Sequence, residues 1–132
     1  MMMSLNVRGM QESNTTFTHL LVEFLRWKQD RGISVLCVQD HKLRPEREHD
    51  LKRLAKLKHA TLSITFGRRS DNNVYQGGVL IITDDTILGD VRVLNTHSNL
   101  IRIETTFGDA RLEIASVYAP SVAAERVAFF KL

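Results

Sequence analysis

Cysteine is almost missing from this chain: Cys37 stands alone, so no intrachain disulfide can close and no cysteine-based zinc motif can form. Its place inside an apolar run marks it as a buried core thiol. Proline and glycine are scarce too, two and seven in 132 residues, which excludes collagen-like and mucin-like material. With 43% hydrophobic and 25% charged residues, a wholly disordered chain is excluded as well. No apolar run approaches the roughly 18 residues of a membrane span. The N-terminus turns polar at Asn6 and Arg8 before a signal-type apolar segment develops. The expectation is a soluble intracellular protein, nuclear or cytoplasmic, with no membrane partner. Internal repeats and low-complexity tracts are also lacking, and the length suits one domain with a sizeable core.

Charge is unevenly placed. The formal net charge is only +3, but residues 42–69 hold nine Lys or Arg against three acids, whereas residues 70–132 are net acidic. A local basic region favours a polyanionic partner. Part of it equally fits a solvated helix: Pro45 starts it, Glu46 and Glu48 occupy the opening turn, and Lys52, Arg53, Lys56 and Lys58 follow, an order that complements the helix dipole.

The spacing predicts a first strand over Met2 to Val7, then a helix capped by Asn14, Thr15 or Thr16. Its apolar stripe is Phe17, Leu20, Leu21, Phe24 and Leu25, and Gly32 stops it. Trp27 belongs to the packing edge of this helix. Ile33 to Val38, nearly all apolar, reads as a strand covered on both faces, and strand, helix, strand of these lengths makes a right-handed parallel unit. A second helix over Pro45 to Leu57 carries a thin stripe at Leu51, Leu54 and Leu57. Strands alone follow: Leu62 to Phe66, Gly78 to Thr83, Leu100 to Thr106 and Arg111 to Tyr118, the last two joined by a turn over 107–110. The polar stretch from Gly67 to Gly77 is long for a hairpin loop and so either functional or mobile. A third helix, capped by Ser121 and running through Val122, Val127, Phe129 and Phe130, ends in mid-stripe at Leu132, so the chain is expected to be cut short. The expected architecture is one mixed sheet with helices on one face and an apolar, uncovered second face, which would promote self-association.

In a parallel unit the carboxyl ends of both strands share one sheet edge, where ligands usually bind. Asn6 and Arg8 follow the first strand, and Gln39, Asp40, His41 and Lys42 follow the second, so Asn6 and Asp40 should be neighbours. A carboxylate beside a carboxamide suits a hard cation such as Mg²⁺. The same residue types also cap turns at strand ends, and geometry alone leaves both readings open. His59 and His97 have no ligand partner at a recognisable spacing and read as surface residues.

Five segments in order, Ser4-Leu5-Asn6-Val7-Arg8-Gly9, Val35 to Leu43, Gly77 to Ile82, Ile114 to Pro120, and Arg126 to Phe130, resemble the endonuclease/exonuclease/phosphatase superfamily. The likeness is strongest to the apurinic-type endonuclease domain of non-LTR (LINE-like) retrotransposons, in which a reverse transcriptase accompanies the nuclease. It spans the whole chain and about the N-terminal half of that domain, so residues 1–132 would be the first part of one domain whose C-terminal half is absent. The resemblance implies an α/β fold, half of a four-layered α/β sandwich, that hydrolyses phosphodiesters with Mg²⁺ or Mn²⁺. It places Asn6 in the metal and phosphate pocket, Asp40 at the metal-binding position, and Tyr118 beside the scissile phosphate. Arg8, His41 and Lys42 would contact nucleic acid, His41 as a residue lining the site. Arg68 and Arg69, from their place in the long polar loop, are open to two readings, contact with DNA phosphates or a solvated basic loop.

The sequence departs from the family in two ways. Aspartate stands at position 40 where the family usually has glutamate, one methylene longer, which implies a weakly held metal. The Gly-Asp-Phe-Asn, later aspartate and Ser-Asp-His motifs find no counterpart in residues 1–132. The implied function is therefore a truncated DNA endonuclease, inactive alone, with DNA as parent substrate and the missing half or another chain covering the open sheet face. Two other readings are a phosphoesterase of the same superfamily acting on RNA, a phosphoinositide or a sugar phosphate, and a non-catalytic fragment that binds nucleic acid or a partner protein.

Overall fold

The computed structural model describes residues 1–10, 14–72 and 74–119. The chain order is β1 (Met2–Asn6), α1 (Asn14–Arg31), β2 (Val35–Gln39), a 3-10 turn (Pro45–Arg47), α2 (Glu48–Leu57) and β3 (Ala60–Ile64). There follow β4 (Arg68–Arg69), β5 (Tyr75–Gln76), β6 (Val79–Asp84), β7 (Arg92–His97), β8 (Leu100–Phe107) and β9 (Ala110–Val117). The expected third helix, from Ser121, lies outside the described residues.

The predicted parallel unit is present: β1 pairs with β2 in parallel, with Asn6 opposite Gln39. β6 inserts antiparallel between β2 and β3, giving a four-stranded mixed sheet in the order β1-β2-β6-β3. Period-two alternation divides its side chains between two cores. Leu36, Val38, Leu80 and Ile82 meet Phe17, Leu21 and Phe24 of α1 and Leu51 and Ala55 of α2. Val35, Cys37, Val79 and Ile81 face the other way.

The expected uncovered face is where the structure departs from the sequence reading. β7, β8 and β9 form a separate antiparallel sheet, and its β8 and β9 pack on β2, β3 and β6. Ile101, Ile103 and Ile114 close the second core against Val35, Cys37, Val79 and Ile81. The outer face of this second sheet is polar, with ion pairs Arg92–Glu104 and Arg102–Glu113. The physical ground for expecting an open apolar face is thereby removed, because the chain folds its own cover from the meander after Asp84.

Local details follow from the residues. Gly32 adopts φ +68° and its N–H bonds the Lys28 carbonyl, ending α1 as a left-handed cap. Leu57, expected in the α2 stripe, is exposed, while Ala55 is fully buried. Six residues from Leu51 rotate Leu57 about 240° round the helix, and four bring Ala55 back to the buried side. β7 was not visible in the sequence because it is an exposed edge strand with a bulge between Val93 and Asn95, so its apolar residues do not alternate. Within the polar stretch, Arg68 and Arg69 of β4 pair antiparallel with Gln76 and Tyr75 of β5.

Candidate metal and phosphate edge

The ends of β1 and β2 and the start of β6 meet at one edge of the four-stranded sheet. Beyond Asn6 the two chains keep pairing: Val7, Gly9 and Met10 donate their N–H groups to the carbonyls of Gln39, Asp40 and His41. Asn6 and Asp40 are thus brought to the same edge. The Asn6 side-chain oxygen accepts the Arg8 N–H at 3.1 Å. Asp40 is 6% exposed, and its Oδ1 accepts the Gly77 N–H at 3.2 Å.

Gly77 and Gly78 form the floor of this edge. The Asp40 N–H bonds the Gly78 carbonyl at 2.8 Å, the Lys42 N–H bonds the Gly77 carbonyl at 3.0 Å, and the Gly78 N–H bonds Asn99 Oδ1 at 3.1 Å. Both glycines have positive φ, +80° and +86°. A Cβ on Gly78 would stand 2.6 Å from the His41 ring, and one on Gly77 would stand 2.3 Å from Asn99 Oδ1 and 3.3 Å from the Tyr118 ring. No side chain fits at either position. Gly77 is therefore the contact through which Tyr118 and Asp40 share one site. Tyr118 is half-buried at the rim of the second core, and its N–H is held by the Asn99 carbonyl at 2.9 Å.

Strain gathers at the same edge. Among the described residues four non-glycines have positive φ, and three of them, Arg8 (+52°), Asp40 (+60°) and Lys42 (+58°), lie here. Such conformations cost on the order of 1 kcal/mol each and cluster at functional sites.

His41 corrects the sequence reading. It is fully buried, so it neither lines the site nor touches nucleic acid. Its Nδ1 accepts the Leu43 N–H at 2.9 Å, which leaves Nε2–H to donate to the Thr65 carbonyl at 2.8 Å. Burial lowers its pKa to about 4, outweighing the bonds to Thr65 and Val79 and the Asp40 charge, and the ring is neutral at pH 7. The imidazole wedges the Asp40 turn against Gly78 and the edge of Phe66.

The basic segment is divided by the fold. β3 runs parallel to β2, so Arg68 and Arg69, which follow β3 on the exposed β4 strand, stand at the Asp40 edge with Arg8 and Lys42. The aliphatic stem of Lys42 lies over Gly9. Lys56 and Lys58, which precede β3, are at the opposite edge, where Lys56 pairs with Asp85 at 3.0 Å. His59 and His97 are exposed, and no cluster of three or more His, Cys, Asp or Glu residues occurs among the described residues. In the sequence Gly77, Gly78 and Ser116 stand inside the family-like segments without an assigned role, and Asn99 lies outside them. The glycine pair before an apolar strand was the available signal, whereas Asn99 reaches the edge only through the pairing of β8 with β9.

No helix among the described residues is long and apolar enough to cross a membrane. Neither a protein-family model nor a curated protein matches the chain. Solved structures do. The structure of D. rerio TDP2 complexed with single strand DNA product matches with TM-score 0.55 and 18% identity, over 97% of this chain and 50% of that one. AP endonuclease LMAP from Leishmania major matches with TM-score 0.58 and 14% identity, over 96% and 42%. D. rerio TDP2 humanized by 14 mutations matches with TM-score 0.51 and 13% identity, over 93% and 55%. The chain spans about half the length of these structures. Helices on a mixed sheet, backed by a second sheet, give this chain the fold of the endonuclease/exonuclease/phosphatase proteins.

Proposed function

We propose that this chain is the N-terminal part of a divalent-metal-dependent phosphodiesterase of endonuclease type. Its parent activity would be the nicking of DNA for retrotransposition, as in the LINE-like domains it resembles. The observation that carries the reading is the shared edge at which Asp40 and Tyr118 meet at Gly77 while Asn6 ends the neighbouring strand β1. Support comes from structural neighbours that include an AP endonuclease and a protein solved with a single strand DNA product.

The donor set fits a hard cation. Asp40 uses Oδ1 for the Gly77 N–H, which leaves Oδ2 for another partner, and the Asn6 carboxamide oxygen has a second lone pair beyond its bond to Arg8. Mg²⁺ commonly takes one or two carboxylates and completes its shell with water and phosphate. Bound there, it would place positive charge beside the phosphate and lower the barrier to in-line displacement. Tyr118 would add a hydrogen bond from its phenol to a phosphate oxygen. Arg8, Lys42, Arg68 and Arg69 would hold the backbone on either side.

A group to activate water is another matter. His41 is buried and committed to Thr65 and Leu43, and Asp40 is assigned to the cation through its remaining oxygen, so neither is placed to take a proton from water. With those two excluded, the 132-residue chain is expected to bind and not to hydrolyse. A C-terminal half, or another chain, would supply the remaining catalytic groups.

The test is a supercoiled-plasmid nicking assay in millimolar Mg²⁺ with the purified chain and Asp40→Ala. No nicking by either is expected, together with salt-sensitive DNA binding by both. Nicking abolished by Asp40→Ala would overturn the assignment of the missing chemistry, and no DNA binding at low salt would overturn the nuclease reading. The coding sequence after Leu132 checks the parent: a Gly-Asp-Phe-Asn segment followed by a reverse transcriptase is expected.

A further inference from the structure

We propose that Gln39 is the positioning residue of this edge, a single carboxamide that sets the spacing of Asn6, Asp40 and Tyr118. The inference rests on the reading of those three residues as one pocket and adds what holds them in place.

Gln39 is the last residue of β2, on the face that carries Val35 and Cys37 into the inter-sheet core, and it immediately precedes Asp40. Both ends of its side chain are engaged. Oε1 accepts the Ser4 hydroxyl at 3.1 Å, and Nε2 donates to Ser116 Oγ at 3.1 Å. Ser4 lies two residues before Asn6 on β1, and Ser116 lies two residues before Tyr118 at the end of β9. Because strands repeat every two residues, each serine shares a face with the site residue that follows it. One planar group thus joins three strands one or two residues upstream of each member of the pocket.

The arrangement suits glutamine, which accepts from one serine while donating to the other. Asparagine is one methylene too short to span from β2 to both neighbours, glutamate can only accept and would need the Ser116 hydroxyl as donor, and methionine has the length without either bond. Ser116 is held in turn by burial to 2% exposure. Ser4 is exposed, so the β1 branch is the softer of the two. Residues that orient the groups around a metal typically change its affinity 10- to 100-fold when removed.

The experiment uses the full 132-residue chain, isotope-labelled for NMR, with Mn²⁺ as probe. Gln39→Met is expected to lower Mn²⁺ affinity at Asp40 about tenfold and to remove the through-space contact between the Tyr118 ring and Gly77. Ser116→Ala should disturb the Tyr118 contact and leave the Asn6 amide in place, and Ser4→Ala should do the reverse. Gln39→Glu, which keeps the bond from Ser4, should retain the Asn6 signal. A folded Gln39→Met chain with unchanged affinity and unchanged Asn6 and Tyr118 signals overturns the proposal, as does identical, unresolved disturbance from both serine variants. Should Gln39→Met fail to fold, the serine variants decide by the same criterion. A wild-type chain whose Asp40 region is untouched by Mn²⁺ would refute the metal reading, and the Tyr118 and Asn6 signals would still decide the role of Gln39.

Discussion

His41 shows how one residue changes meaning between sequence and structure. Next to Asp40 in the chain, it invites a place in the site, yet the turn at Asp40 drives the ring inward against Gly78. Its pKa falls to about 4 from an ordinary 6.5, so the unfolded chain takes up a proton first as pH drops. The stability it contributes is fully present above about pH 6.5 and is lost progressively towards pH 4. Urea midpoints should report a loss of about 2 kcal/mol between pH 7 and pH 5. His41→Gln should flatten that slope, and an equal slope in the variant would show that other groups carry it. Cys37 behaves as read from its apolar run: burial pushes its thiol up to about 11, outweighing the bond to Ser116, which leaves it a poor nucleophile.

Among the elements, the β4–β5 hairpin and the α1 tether matter most. Arg68 and Arg69 project from a short strand rooted beside Gly77, whereas Lys58 stands at the far edge of the same sheet. If DNA lies along the Asp40 edge, Arg68→Ala and Arg69→Ala should each reduce the slope of log K against log salt by about 0.9, and Lys58→Ala should leave it unchanged. Equal effects from all three would mean diffuse attraction without a preferred edge. At the opposite edge, Lys28 in the last turn of α1 reaches Asp84 at 2.7 Å and Thr86 at 2.7 Å. Burial alone would raise the Asp84 carboxyl, but the bonds from Lys28 and Thr86 prevail and hold it below its ordinary value. Lys28→Met should cost about 2 kcal/mol, less than breaking a fully buried pair because Lys28 remains partly solvated. Lys28→Met with Asp84→Asn should recover part of the loss, which thermal melts of the three variants would show.

Across the whole molecule, the two cores share the same strands. Val38 and Leu80 face the helices, while Cys37 and Ile81, one residue away on the same strands, face the second sheet. Neither layer can loosen without exposing the other. Ile81→Ala, at a fully buried position, should cost about 3 kcal/mol and lower the melting of helix and sheet signals together. Separate transitions for the two would show that the meander of β7 to β9 folds as an independent unit.

What the sequence determined by itself is local or carried by periodicity. The α1 stripe and its Gly32 stop, the parallel pairing of β1 with β2, the burial of Cys37 and the common edge of Asn6 and Asp40 all follow from apolar spacing and the handedness of a strand-helix-strand unit. The family resemblance added the fold and named Tyr118, 78 residues from Asp40 in the chain. The tertiary structure alone decided what depends on distant backbone. It closed the sheet with a second one, seated Tyr118 on Gly77, buried His41, turned Leu57 outward and parted Arg68 from Lys58. Composition could not resolve these, because a side chain's role at a sheet edge is set by which strands arrive beside it and in what register, and register is a property of pairing between segments far apart in sequence.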